Sequence, residues 1–170
     1  PGTGKGFTAN YFGKLFEPHF YPADTLDNIA GKYNERPAGS TFIYVDNTVF
    51  TGSPAAKQRL RSIITQPTIE VENKFVPSRL QDNFTNYWFA SNEKVMLPID
   101  LDDRRFPTVE TSSKYRNKRK EYFVPLYHVS NTPEAYSGWM YKLMNEPISD
   151  DDFSELRQTQ ARVDGMMEGL

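Results

Sequence analysis

The chain has 170 residues, 38% of them apolar and 14% aromatic, which is the length of one domain with enough apolar material for a single well-filled core. With 20 basic and 22 acidic side chains the net charge is −2, so no global field marks the chain for nucleic acid or an anionic membrane surface, and any such contact must be local. The absence of cysteine excludes disulfides and thiolate chemistry, His19 and His128 are too few for a zinc site, and no apolar run is long enough to cross a bilayer.

In chain order, the first element is announced by PGTGKG, after which Phe7, Tyr11, Leu15 and the pair Phe12 and Phe16 recur at helical spacing. A helix over 6–16 is expected, its N-terminus pointing at the glycine-rich turn. TFIYVD, at 41–46, is a continuous run of β-branched and aromatic residues, the pattern of a strand buried on both faces and ending on a carboxylate. A helix over 54–64 carries Lys57, Arg59 and Arg61 on its wetter side. Segments 68–71 and 74–76 flank Glu72 and Asn73 and predict a hairpin. A second buried strand is expected over 84–90, running into Ser91 and Asn92, and a third extended stretch over 106–110. Segments 118–128, 133–144 and 150–167 read as helices, so the C-terminal third should be all α. KYRNKRK, at 114–120, reads as the solvated start of a helix. Tyr33, Tyr44, Trp88, Trp139 and Tyr141 read as core or subunit contacts rather than base-stacking platforms.

The chemistry suggested by this order is phosphoryl transfer. Bare backbone N–H groups at Gly2, Gly4 and Gly6, with Thr3 between them, suit phosphate oxygens, and the flexible ammonium of Lys5 can follow charge onto the β–γ bridge. Asp46, leaving a buried strand at its C-terminal end, lies where α/β sheets bind ligands and could hold magnesium; it could equally be a turn aspartate. Asn92 could hydrogen-bond a γ-phosphate or the attacking water, although Ser-Asn is also a common loop opener. Arg104 and Arg105 could neutralise transition-state charge, or pair with Asp102 and Asp103 on the surface.

With these pieces in order (GTGKG, KYNERPAGSTFIYVDN from Lys32, RLRSIITQPTIEVENK from Arg59, FASN from Phe89 and DDRRF from Asp102), the chain resembles superfamily 3 helicases of the AAA+ class, of the phage and mobile-element primase-helicase type. The likeness runs from Gly2 to about Leu143. It implies an α/β P-loop NTPase fold with a mainly parallel sheet, a core over 1–130, and a helical segment over 131–170 packed on the same domain. It further implies an ATP-binding Walker A loop at Gly2 to Gly6, and a Walker B strand over 42–46 with Asp46 on Mg2+. A sensor role falls to Asn92, and an arginine finger, given to a neighbouring subunit, to Arg104 or Arg105. Proteins of this kind carry a DNA-gripping hairpin between the Walker B and sensor strands. That interval here is 68–83, where Lys74 and Arg79 are the expected phosphate contacts and Phe75 could meet the sugar face. The function implied is an ATP-dependent DNA helicase motor of phage or mobile-element replication, acting on single-stranded or forked DNA. It would work as a homo-oligomeric, hexameric ring in the host cytoplasm, away from membranes.

Three positions depart from the family pattern. Gly6 stands where the loop usually has Ser or Thr, so the hydroxyl that ligates magnesium is missing. Thr8 cannot replace it, because two helical residues turn a side chain by roughly 200°. Asn47 stands where a second acid usually activates water; an amide can orient water but cannot take its proton. The strand that normally precedes the loop is not within these residues. An alternative class therefore stays open: a nucleotide-binding, weakly or non-hydrolysing DNA-binding or structural component of a replication assembly.

Overall fold

In the computed structural model, residues 2–31, 33–46, 54–92, 105–147, 159 and 163 are described. Helix α1, Lys5–Lys14, starts from Gly4, whose φ of 94° lies in the left-handed region that favours glycine. The helix ends two residues before the expected Phe16. Ala9, Tyr11 and Gly13 are its buried positions, and Gly13 has to lack a side chain because a Cβ there would overlap the Phe20 ring.

Strand β1, Phe20–Ala23, pairs in parallel with β2, Phe42–Val45, whose four residues are all buried. On its other side β2 pairs, again in parallel, with β5, Asn86–Phe89, giving the order β1-β2-β5. The expected strands over 41–46 and 84–90 are therefore present and adjacent, slightly shorter at their ends. The expected third strand is not where it was placed: residues 106–110 are irregular, and the third position in the sheet belongs to β1. Phe106 instead turns inward, buried in the core with its ring 6.3 Å from that of Phe89.

Alternation along β2 divides the core in two. Phe42 and Tyr44 pack with Ala9 and Ala90 beneath α1. Ile43 and Val45 face the other way, onto Ala23, Ile29, Leu60 and Phe106, under the short α2, Asp27–Ala30, and the long α4, Pro54–Thr65. Helices thus cover both faces of a parallel sheet, the arrangement that all-parallel pairing demands.

The predicted hairpin is longer than expected: β3, Thr68–Asn73, and β4, Val76–Asp82, are antiparallel and joined through the two-residue turn Lys74–Phe75. It is attached to the body by α3, Glu35–Ala38, through a small cluster of Ala38, Ile69 and Val71. Asn34 makes the connection directional. Its side chain donates to the Glu70 carbonyl at 2.8 Å and accepts from the Glu72 N–H at 2.8 Å, while its own N–H reaches the Glu72 carbonyl at 3.3 Å.

Beyond the sheet, a π-helical turn, Arg119–Phe123, runs into α5, Val124–Ser130, and then α6, Pro133–Asn145, which is capped by Thr132 accepting from the Ala135 N–H at 3.2 Å. These helices lie along the outer side of α1. Tyr136 stacks on Tyr11 at 4.9 Å, Trp139 packs on Phe12 at 5.7 Å, and Lys14 Nζ donates to Asn131 Oδ1 at 2.9 Å. The single helix expected over 118–128 is thus two elements of different pitch. Of the helix expected over 150–167, almost all lies outside the described residues. Among the named aromatics Tyr44 is buried and Trp88 half-buried, while Tyr33, Trp139 and Tyr141 are exposed, so the core half of that reading holds for the first two. No described helix is long and apolar enough to cross a membrane.

Candidate functional site

The C-terminal ends of β2 and β5 meet the N-terminus of α1. In register, Val45 faces Phe89, and the Ala90 N–H donates to the Val45 carbonyl at 2.9 Å. Asp46 and the Ser91–Asn92 pair therefore leave neighbouring strands at the same end of the sheet. From the helix side, Lys5 Nζ donates to Asn92 Oδ1 at 3.0 Å, closing a gap of 87 residues in sequence. Of the lysine, asparagine and aspartate expected to converge, Lys5 and Asn92 are in contact, and Asp46 leaves the neighbouring strand at the same end of the sheet.

The glycine turn is built for close approach. Gly2 and Gly4 have φ of 78° and 94°, and a Cβ on Gly4 would meet the Phe123 ring at 2.8 Å. The Thr3 hydroxyl lies 2.9 Å from that of Thr111. Gly6 is helical, with the Tyr44 hydroxyl 3.4 Å from where its Cβ would stand. As the helical rotation requires, Thr8 is turned away: its hydroxyl donates back to the Gly4 carbonyl at 3.1 Å. Burial, and secondarily the Asp46 carboxylate, hold the Tyr44 phenol protonated far above the usual tyrosine range.

Beside the turn opens a cavity of about 680 Å³, with Gly2, Gly4 and Phe7 on one wall and Arg119, Phe123 and His128 on the other. This wall was not anticipated from sequence. KYRNKRK is largely exposed and leads into a helical element at Arg119, as a solvated helix start should; its first part is a turn with Asn117 at φ 65°, and it brings Arg119 to the glycine-rich loop. The one available signal was the density of cations there, and nothing local says what they face.

A second site candidate is the hairpin tip. Phe75 is 102% exposed at φ 65°, a conformation unfavourable for a bulky aromatic, and Lys74 Nζ sits 5.5 Å above the Tyr33 ring. Arg79 is exposed on β4, and Glu70, which could offset it, is engaged by the Ser78 hydroxyl at 2.6 Å. Arg105 is exposed immediately before buried Phe106. Asn47 and Arg104 lie outside the described residues. Among the described residues no group of three or more His, Cys, Asp or Glu side chains is gathered as a metal cage. Asp46 beside the buried Tyr44 hydroxyl nevertheless fits magnesium, which keeps most of its waters and takes one or two carboxylates together with substrate phosphates.

Residues 1–105 match the model of a family described as "Family of unknown function (DUF5906)". The chain is 23% identical over 142 residues to a "DNA Primase-polymerase" of Nitratiruptor phage NrS-1, an alignment covering 82% of this chain and 20% of that protein. Among solved structures it is similar to the apo structure of the NrS-1 C-terminal region (305–718), with a TM-score of 0.75 and 21% identity over 99% of this chain and 41% of the other. An A form of the same region gives 0.73 and 22% over 100% and 40%. The chain thus spans about one fifth of the curated relative and about two fifths of the solved chain. At these identities the likeness is one of fold: a mixed α/β domain around a parallel sheet.

Proposed function

The chain belongs to the DUF5906 family, and on that premise we propose that it is the ATP-binding motor module of a phage DNA-replication protein, an ATPase of the superfamily 3 helicase kind. The observation that carries this reading is the 3.0 Å contact of Lys5 Nζ with Asn92 Oδ1 at the end of the sheet where Asp46 emerges. A neutral amide partner, unlike a carboxylate, puts no opposite charge beside the ammonium that would meet a phosphate, and the asparagine is left near the γ-phosphate's place. The relative's description as a primase-polymerase of a phage agrees with a role in DNA replication.

In this reading the N–H groups of Gly2 to Gly6 and the Lys5 ammonium bind the phosphates of ATP, and Asp46 holds Mg2+. When bound, the magnesium ion neutralises phosphate charge and orients the β- and γ-oxygens. Asn92, with Asn47, orients the attacking water, and Arg104 or Arg105 supplies positive charge to a neighbouring subunit's site. The cavity beside the turn is in the size range of small-molecule pockets, room for the nucleoside end of the ligand. The hairpin, anchored at Asn34 and bare at its tip, contacts single-stranded or forked DNA through Lys74, Arg79 and Phe75. A hexameric ring places such tips around a channel, and closure at each interface moves them.

A second reading, nucleotide binding with little or no hydrolysis, is favoured by the identities of Gly6 and Asn47: one removes a magnesium-ligating hydroxyl, the other a proton acceptor. Calorimetric titration of ATP into the chain and into its Lys5→Ala variant tests binding. Loss of one charge-assisted contact should weaken ATP about 10- to 100-fold, and equal affinities would sink the assignment. DNA-stimulated phosphate release in the full-length protein separates motor from passive binder.

A further inference from the structure

Beneath the first turn of α1 lies a polar group that the reading above leaves without a task. Tyr44 is only 3% exposed, and its buried hydroxyl makes no hydrogen bond of ordinary geometry, its one polar influence being the neighbouring Asp46 carboxylate. Buried hydroxyls are nearly always partnered, so one left unmatched beside a candidate ligand site marks a partner that arrives with the ligand. Its position is specific. The oxygen lies 3.4 Å from where a side chain on Gly6 would begin, and the Asp46 carboxylate, two residues along the same extended segment, is close enough to act on it. The side chain missing at residue 6 and the one unsatisfied hydroxyl of β2 thus lie side by side.

We infer that Tyr44 Oη is the hydroxyl of the triphosphate site, standing in for the side-chain hydroxyl that residue 6 lacks and donating to an oxygen in the shell of the cation held by Asp46. This rests on the nucleotide reading. Gly6 is then no loss: a side chain there would begin in van der Waals contact with the phenol that has taken over its task. The phenol serves as a neutral donor, so it adds no charge to the site.

The test compares the chain with its Tyr44→Phe variant, titrating ADP calorimetrically with and without Mg2+, measuring Mn2+ binding in the presence of ADP by electron paramagnetic resonance, and melting both proteins. Removing an unmatched hydroxyl should leave the melting temperature equal or higher. Affinity for metal-free ADP should stay within about twofold, while Mg2+-ADP and Mn2+ binding should weaken roughly tenfold, one hydrogen bond's worth. Adding Gly6→Ser to Tyr44→Phe should restore part of the metal-dependent gain, a rescue that a packing role would not produce. Unchanged Mg2+-ADP affinity in Tyr44→Phe, or a clear fall in its melting temperature, overturns the inference and leaves nucleotide binding standing. A parent chain that binds ADP neither with nor without Mg2+ overturns both.

Discussion

Strands β2 and β4 meet solvent in opposite ways. All four residues of β2 are buried, on both faces, whereas six of the seven in β4 are exposed. β2 is held by a parallel neighbour on each edge and by helices above and below, so its sequence is spent on packing and its end on aiming Asp46. β4 has one neighbour, and with Phe75 before it presents Val76 and Leu80 outward, the latter 77% exposed. The difference teaches a division of labour: apolar side chains with no packing role sit on the hairpin, and those that secure the fold surround the end of the sheet where Lys5 and Asn92 meet.

That contrast can be broken or sharpened by substitution. Ile43→Ala, at a fully buried position of β2, should cost about 2–5 kcal/mol of unfolding free energy in denaturant titration. A value below about 1 kcal/mol would show that the sheet is not the stability centre. Asn34→Ala, at the joint between the two regions, strips partners from Glu70 and Glu72 and should cost about 1–3 kcal/mol, with hydrogen exchange rising in β3 before it rises in β2. Phe75→Ala should leave stability within about 0.5 kcal/mol yet weaken single-stranded DNA binding by about 1–3 kcal/mol in fluorescence anisotropy. If DNA affinity is unmoved while stability drops, the tip is structural and the division of labour fails.

How much of this was readable in advance depends on the range of the interactions. TFIYVD announces β2 because burial on both faces writes an uninterrupted apolar run. FYPA hides β1, since it is four residues long and contains Pro22, tolerable only at a sheet edge. The alternation in FPTVE imitates a strand, but among the described residues no strand pairs with it, and the Thr108 carbonyl accepts from the Thr159 hydroxyl instead, which only the pairing pattern could reveal. The meeting of Lys5 with Asn92 was legible through motif order. The approach of Arg119 to Gly2 and Gly4 was not, because it joins residues more than 110 positions apart with no motif between them. Tyr44 was read as a packing residue, which its burial bears out; the unmatched oxygen becomes visible only when Gly6 is placed beside it.

The bonds from Asn34 have one more consequence, for solubility. By occupying backbone groups of Glu70 and Glu72 that point away from β4, this side chain shields the outer margin of β3, where a stray strand from another molecule could otherwise add on. The opposite strand, β4, is guarded differently: it contains Pro77, which has no N–H to offer, and the exposed charges of Arg79 and Asp82. A hairpin that displays so much oily surface can therefore remain dispersed at high concentration, its apolar tip available for contact while both of its rims resist fibre-like stacking.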